Sequence, residues 1–325
     1  MVRRGILVGG LVLALTLPLL AAAFGLDYVV GIATRILIFA LAGVSLNLIL
    51  GYGGMVSFGH AAFFGTGAYV VAILSDHAAA GIPLFTWPLT VYGSDMAIIA
   101  WPAAMAVCAV LALIIGAICL RTGGLYFIMI TLAFAQMLYF FFVALEPYGG
   151  DDGLSLVGPS RAWPLDLADD RQFYYLILSL LLFILYLMRR LIASRFGLVL
   201  RGIRENERRM QAMGYATYRY KLAAFVISGA VAGLAGALIA NHTEFVSPSF
   251  LDWRRSGEIL VVVIMGGVGT LYGPVAGAIA YLMLEEVLSR WTEHWMIVLG
   301  PLLVLIVLYA KQGLWGTLEK MSTKR

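Results

Sequence analysis

The sequence predicts an all-α, polytopic integral membrane protein of about ten transmembrane helices, with two hairpins broken by glycine. Three observations lead there. Hydrophobic residues make up 62% of the chain and charged residues 12%, against roughly 25% charged in soluble domains, too few to cover a water-soluble globule. The uncharged runs Gly5–Leu26, Ile36–Gly59, Met96–Leu120, Thr122–Leu145 and Ile259–Leu284 each reach the roughly 20 residues that cross a bilayer. Basic and acidic loops also alternate along the chain. A soluble enzyme, a nucleic-acid binder and an outer-membrane barrel are excluded, the last because barrel strands are short and alternate in polarity.

Arg3 and Arg4, an apolar stretch and Ala21–Ala23 look like a cleavable leader. The stretch is longer than the usual apolar region of about 7–15 residues, and further spans follow, so it is read as a retained first helix. The spans expected on length are 5–25, 28–50, 56–75, 96–120, 123–145, 172–188, 222–241, 257–271, 273–289 and 294–310, all within one transmembrane domain covering 1–325. With Arg3 and Arg4 inside, Asp27, Asp76 and Asp95 fall outside. So does the loop 146–171, with six acids against Arg161 and Arg171. The loop 189–221, with nine bases against two acids, falls inside, as does the tail carrying Lys311, Lys320, Lys324 and Arg325. This satisfies the tendency of basic loops to stay cytoplasmic and places both termini in the cytoplasm.

Ile259–Leu284 has 26 uncharged residues, interrupted by Gly266-Gly267-Val268-Gly269-Thr270 and by Gly273-Pro274. Counting it as one crossing would put the basic tail outside. Two crossings are therefore expected, the first short or partly unwound. A second glycine turn, Gly51-Tyr52-Gly53-Gly54, joins the second and third spans on the same side. Broken helices at corresponding places in two halves point to a substrate path and hint at a parallel repeat; close helix packing is the other reason for glycine there.

Ionisable groups are scarce in the spans. Arg35 lies about two turns inside the second span, where its stem can snorkel outward. His60 sits near the start of the third, where a packed, hydrogen-bonded histidine is the alternative to a site role. Glu258, Glu285 and Glu286 fall near helix ends, which disfavours a buried proton relay. Cys108 and Cys119 are eleven residues apart in one span, about 16 Å along a helix and beyond disulfide reach, so both read as packing residues. Neither a phosphate-binding G-x-x-x-x-G-K-[ST] loop nor a metal-ligand spacing is present.

The inner loop is the most informative segment. On one continuous helix ended by Gly214, Leu200, Ile203, Met210 and Met213 share an apolar arc. Arg201, Arg204, Glu205, Arg208 and Arg209 lie opposite, with Arg201/Glu205 and Glu205/Arg209 spaced for ion pairs. Such a helix either rests on anionic headgroups or docks on a protein. Asn206 and Glu207 on its apolar side favour protein docking, because an acid facing headgroups is unfavourable.

Several of these segments carry a resemblance. Asn47–Phe63 (NLILGYGGMVSFGHAAF), Gly124–Phe127 with Thr131–Ala135, Gly149–Leu154, Ile203–Glu207 with Lys221–Phe225, and Gly266–Pro274 resemble the larger permease chain of branched-chain amino acid ABC importers. The likeness runs from about residue 30 to about 315. Gly202 and Met210 stand where alanines are expected, which would loosen the helix slightly. The resemblance implies that the inner helix is a coupling helix seated in a separate ATPase subunit. Arg204, Glu205, Asn206 and Glu207 would be the contacts, with Arg201, Arg208, Met210 and Gly214 around them. It further implies two cytoplasmic ATPase subunits that hold the ATP, no cofactor on this chain, a second homologous permease, an extracytoplasmic solute-binding protein received at 146–171, and a bacterial inner membrane. The path or gate would involve Asn47, Gly51, Tyr52, Gly53, Gly54, Ser57, His60, Tyr126, Thr131, Gly266, Gly267, Gly269, Thr270 and Gly273. Urea, short amides and aromatic acids are alternative solutes within this type; an ion-coupled secondary transporter is the alternative outside it.

Overall fold

The computed structural model describes residues 2–85, 91–291, 294, 297–301, 304 and 313–317. Most of the expected span 294–310, the tail residues Lys311, Lys320, Lys324 and Arg325, and the side chains of Arg3 and Arg4 lie outside the described residues. The fold is all-α. In order come α1 (Val2–Ala23), α2 (Tyr28–Asn47), α3 (His60–Ala80), α4 (Ala97–Cys119), α5 (Leu125–Val143), α6 (Asp170–Ala193), α7 (Arg195–Glu205), α8 (Glu207–Ala212), α9 (Thr217–Thr243), α10 (Trp253–Gly266) and α11 (Gly273–Trp291).

Among the described residues, five stretches are long and apolar enough to cross a membrane: 28–52, 97–119, 125–143, 170–193 and 217–243. The most apolar windows of the first and last are 78% and 72% buried, against 28%, 22% and 33% for α4, α5 and α6. Hence α2 and α9 form the centre and the other three lie at the rim. α3 is also an interior helix, less apolar than these because it carries His60, Asp76 and His77. Its face is small and polar (His60, Gly65, Thr66, Gly67, Ala68), and it crosses α9 with backbones in near contact where Gly67 meets Gly233 and Phe64 meets Gly236, the small-residue packing of membrane interiors. Cys108 of α4 packs into this crossing, its Sγ 3.3 Å from the Phe63 carbonyl oxygen, and both cysteines are free and buried.

Two boundaries differ from expectation for local reasons. α6 starts at Asp170 because the Asp169 side chain accepts from the Arg171 amide. It continues through Arg189 and Arg190, bases that suit a helix C-terminus, so 189–193 is helix, not loop. α10 starts at Trp253, capped by Asp252, and ends at Gly266. Its 14 residues span about 21 Å, short of the roughly 30 Å hydrocarbon core. The two glycine-broken hairpins, α2–α3 and α10–α11, touch through α2.

We refer to the end bearing α7 and α8 as the basic end and the opposite one as the acidic end. At the acidic end β1 (Pro83–Phe85) pairs with β2 (Val91–Tyr92), and β3 (Leu154–Ser155) pairs with β4 (Phe245–Val246), all antiparallel. The second pair ties the loop 146–171 to the end of α9.

Candidate functional site

At the basic end, α2 ends in a π-helical turn, Leu48–Tyr52. The wider turn carries Gly51 against the loop between α10 and α11. Asn47 clamps that loop: its Nδ2 donates to the Thr270 carbonyl at 2.7 Å and its Oδ1 accepts from the Gly269 amide at 2.9 Å. Thr270 Oγ1 donates to the Gly267 carbonyl at 2.7 Å. Gly267 and Gly269 hold φ of 122° and 80°, a region that side chains disfavour. Among the expected path residues, Asn47, Gly51, Gly266, Gly267, Gly269, Thr270 and Gly273 therefore meet at one crossing of the two hairpins. Replacing Asn47 by leucine strands two backbone groups; at about 1–3 kcal/mol for each stranded partner, we expect a lower Tm for the purified protein, with Asn47→Asp intermediate because it retains the acceptor.

The other expected path residues are scattered. Gly54 faces Arg204 of α7, while Gly53 packs on Ile49 and Met55; Tyr52 is buried beside the crossing. Ser57 Oγ accepts from the Gly59 amide at 3.1 Å. Thr131 is buried in α5 with its hydroxyl on Ile128 O, while Tyr126 is 73% exposed and faces away from the bundle. His60 is fully buried, Nε2 lying 2.9 Å from Ser228 Oγ. The Ser228 hydroxyl donates to the Ser45 carbonyl, so the hydrogen shared with His60 must come from Nε2.

The inner segment is two helices, not one. The chain breaks at Asn206 (φ −159°, ψ 97°), whose side chain accepts from the Arg209 amide and caps α8. A face drawn through 206 at a constant angle is therefore invalid. Leu200, Ile203 and Met210 are buried, but Met213 is 57% exposed. Arg204, although exposed, turns its head inward: its Nη1 donates to the carbonyl of Gly51, and a Cβ on Gly54 would lie 2.9 Å from Arg204 Cγ. Arg201 does not pair with Glu205; it donates to Gly197 O within α7 at 3.3 Å and to Ile192 O at 3.1 Å, satisfying a carbonyl at the end of α6. Glu205 and Arg209 are paired at 3.4 Å. Glu207 pairs with Lys221 of α9 at 2.5 Å, so the base that its position called for belongs to this chain. Glu205, Asn206, Arg208 and Arg209 are exposed, as is much of Arg204. Gly214, at φ 86°, ends the segment.

Gly202 and Met210, expected to loosen the helix, pack together: a Cβ on Gly202 would lie 2.7 Å from Met210 Sδ. Met210 fills the room that the glycine leaves and joins α8 to α7. We expect Met210→Ala alone to destabilise the segment and Gly202→Ala/Met210→Ala to recover part of the loss, read as non-additivity in a double-mutant cycle of Tm.

A cavity of about 510 Å³ opens beside the break, lined by Gly53, Gly54, Gly123, Gly124, Glu205 and Lys221 among others. Among the described residues no group of three His, Cys, Asp or Glu is placed to hold a metal ion.

Four charged side chains on α2, α10 and α11 form a cluster that sequence reasoning missed. Arg35 does not snorkel: its Nη2 lies 2.9 Å from Glu285 Oε1, and Arg255 Nη1 lies 2.6 Å from Glu258 Oε2. Both guanidiniums sit 5.6 Å from the centre of the Phe39 ring. A lone arginine in an apolar run signals a partner, but Glu285 is 250 residues away. Arg35→Ala leaves Glu285 without its cation; we expect a loss of about 2 kcal/mol as a lower Tm, with little change on Arg35→Lys.

With this geometry in place, comparison with known proteins is specific. The family described as branched-chain amino acid transport system / permease component matches residues 28–307. The high-affinity branched-chain amino acid transport system permease protein LivM of Escherichia coli (strain K12) is 28% identical over 332 residues, covering 95% of this chain and 74% of that protein. LivM of Salmonella typhimurium is 27% identical, covering 94% and 73%. The permease protein LivH of Escherichia coli (strain K12) is 27% identical over 145 residues, 44% of each chain. No solved structure matches. The match spans every helix from α2 to α11 and both glycine-broken hairpins that meet at Asn47, and the chain belongs to this family of transport-system permease components.

Proposed function

We propose that this chain is the membrane-spanning permease of an ATP-driven importer of branched-chain amino acids. It pairs with a second, homologous permease, and two ATPase subunits sit at its basic end. The LivM and LivH relatives, named for branched-chain amino acid transport, support the substrate class and the pairing. The basic end is then cytoplasmic in a bacterial inner membrane, both termini lie there, and the acidic loop 146–171 receives a solute-binding protein outside. ATP is held by the ATPase subunits, and this chain binds no cofactor.

The observation that carries the reading is the Arg204–Gly51 hydrogen bond. The exposed residues Glu205, Asn206, Arg208 and Arg209 offer polar contacts to an ATPase. Arg204, in the same turn of α7, is tied inward to the point where both hairpins meet. A push on α7 and α8 is thereby passed to Gly51 and, through Asn47, to the Gly269–Thr270 loop. Broken helices at that crossing supply bistable backbone, which is what alternating access needs. Met210 and Gly214 hold and end the contacting segment; Gly54 lets α7 approach.

The coupling mode is tested in membrane vesicles containing the complete transporter. With ion gradients collapsed by ionophores and ATP retained, uptake is expected to persist; with ATP removed and gradients intact, it is expected to stop. The reverse pattern would identify an ion-coupled transporter.

A further inference from the structure

We propose that the cleft between α4 and α6 at the acidic end is a binding site for one phospholipid molecule, an acyl chain lying in the cleft and the phosphate meeting Arg161. The cleft encloses about 630 Å³. Its walls are apolar, built from Trp101 and Met105 of α4 and Leu176, Leu180 and Ile184 of α6, with Leu234 of α9 as floor. α4 packs on α9 and α6 packs on α2, so the two rim helices splay and leave the gap between them.

The depth fits one leaflet. Met105 lies eight residues beyond the start of α4 and Leu180 ten beyond that of α6, about 12 and 15 Å at 1.5 Å per residue. Half of a hydrocarbon core of roughly 30 Å is the same distance. An acyl chain entering at the acidic end therefore finds apolar wall along its length and no charge below the mouth.

The mouth is built and charged. The lip, Arg161–Leu165, is pinned over the start of α4: Arg161 N donates to Asp95 O at 2.7 Å, Ala97 N donates to Arg161 O at 2.8 Å, and the buried Asn241 accepts from Ser160 N at 2.6 Å. Arg161 uses Nε on Asp95 Oδ2 at 2.9 Å while its side chain stays 83% exposed, which leaves guanidinium N–H groups for a phosphate, the planar donor set that suits this acceptor. Trp163, 95% exposed beside it, is the amphipathic aromatic found at headgroup level. A peptide would leave its backbone unsatisfied against these walls, whereas a lipid brings an apolar tail and an anionic head in the order that the site presents.

The test uses the complete complex, delipidated and titrated in detergent with phosphatidylethanolamine, phosphatidylglycerol or the diacylglycerol of the same chains, with bound lipid counted by native mass spectrometry. We expect either phospholipid to fill one site about tenfold or more tightly than diacylglycerol, as for one charge-assisted hydrogen bond. Arg161→Ala, which keeps the backbone bonds of the lip, is expected to erase that difference, and Leu180→Trp to weaken all three lipids. Equal binding of the three lipids to the unaltered protein, or no effect of Arg161→Ala, would overturn the proposal. So would Leu180→Trp releasing the second permease while lipid binding stays unchanged, since the cleft would then be a protein interface.

Discussion

Arg204→Ala is expected to lower substrate uptake at least tenfold while the ATPase subunits stay bound and hydrolyse ATP. The reason is the direction of the side chain. Its guanidinium reaches Gly51 O, so the residue, although exposed, links the inner segment to the crossing of the two hairpins. A hydrogen bond from a charged donor is worth about 1.5–3 kcal/mol, and each 1.4 kcal/mol is roughly tenfold in an equilibrium. Without the bond, motion of α7 no longer biases the hairpin crossing, and hydrolysis runs without transport. Arg204→Lys is expected to restore uptake only in part, because a single ammonium replaces the guanidinium fork. The measurement is uptake, ATP hydrolysis and co-purification of the ATPase on one preparation. Loss of ATPase binding together with uptake would make Arg204 a contact residue instead. Arg208→Ala, altering an exposed side chain on α8, is expected to weaken ATPase association first.

Gly266→Ala is expected to remove the folded permease from the membrane. α10 and α11 approach so closely that a Cβ on Gly266 would collide with the carbonyl oxygen of Gly273 and lie 3.0 Å from the Gly277 amide. Both neighbours are backbone and neither can rotate away. Overpacking of this kind costs about 1–3 kcal/mol where side chains can yield, and more where they cannot. Gly51→Ala belongs to the same class: Gly269 N and Cα would lie 2.5 and 2.7 Å from the new carbon. Gly257→Ala is the control within α10, where a Cβ meets nothing within 4 Å and replacing a helical glycine gains a few tenths to 1 kcal/mol. Membrane-inserted yield and Tm compare the three. Equal yield for Gly266→Ala and Gly257→Ala would contradict the described approach of the two helices.

These expectations show which parts of the molecule the chain announces. Long uncharged runs state their own length against the bilayer, so α2, α4, α5, α6 and α9 are legible as spans, with ends that differ by up to five residues where charged residues extend the helix. The glycine cluster at 266–273 shows that its helix is interrupted, and α10 is accordingly short. In the inner segment one residue separates the expected helix from the observed pair. A continuous helix puts Asn206 on its side, although asparagine followed by an acid is also a helix start, and the cap it forms on the Arg209 amide rotates α8 away from that face. The remaining features depend on partners distant in sequence. Arg204 meets Gly51 across 153 positions and Arg35 meets Glu285 across 250. Neither residue's neighbours in sequence say whether it snorkels, docks or pairs. Asn47 and Gly269 were both singled out, but their contact required the two hairpins to be brought together.

The most direct test of the account is substrate-specific uptake. In cells with and without this chain, labelled leucine uptake is followed in competition with excess isoleucine, valine, urea or benzoate. The account predicts uptake that requires the chain and is blocked by isoleucine and valine but not by urea or benzoate. Leucine uptake unchanged by loss of the chain would contradict it and move the substrate to the urea, amide or aromatic-acid alternatives.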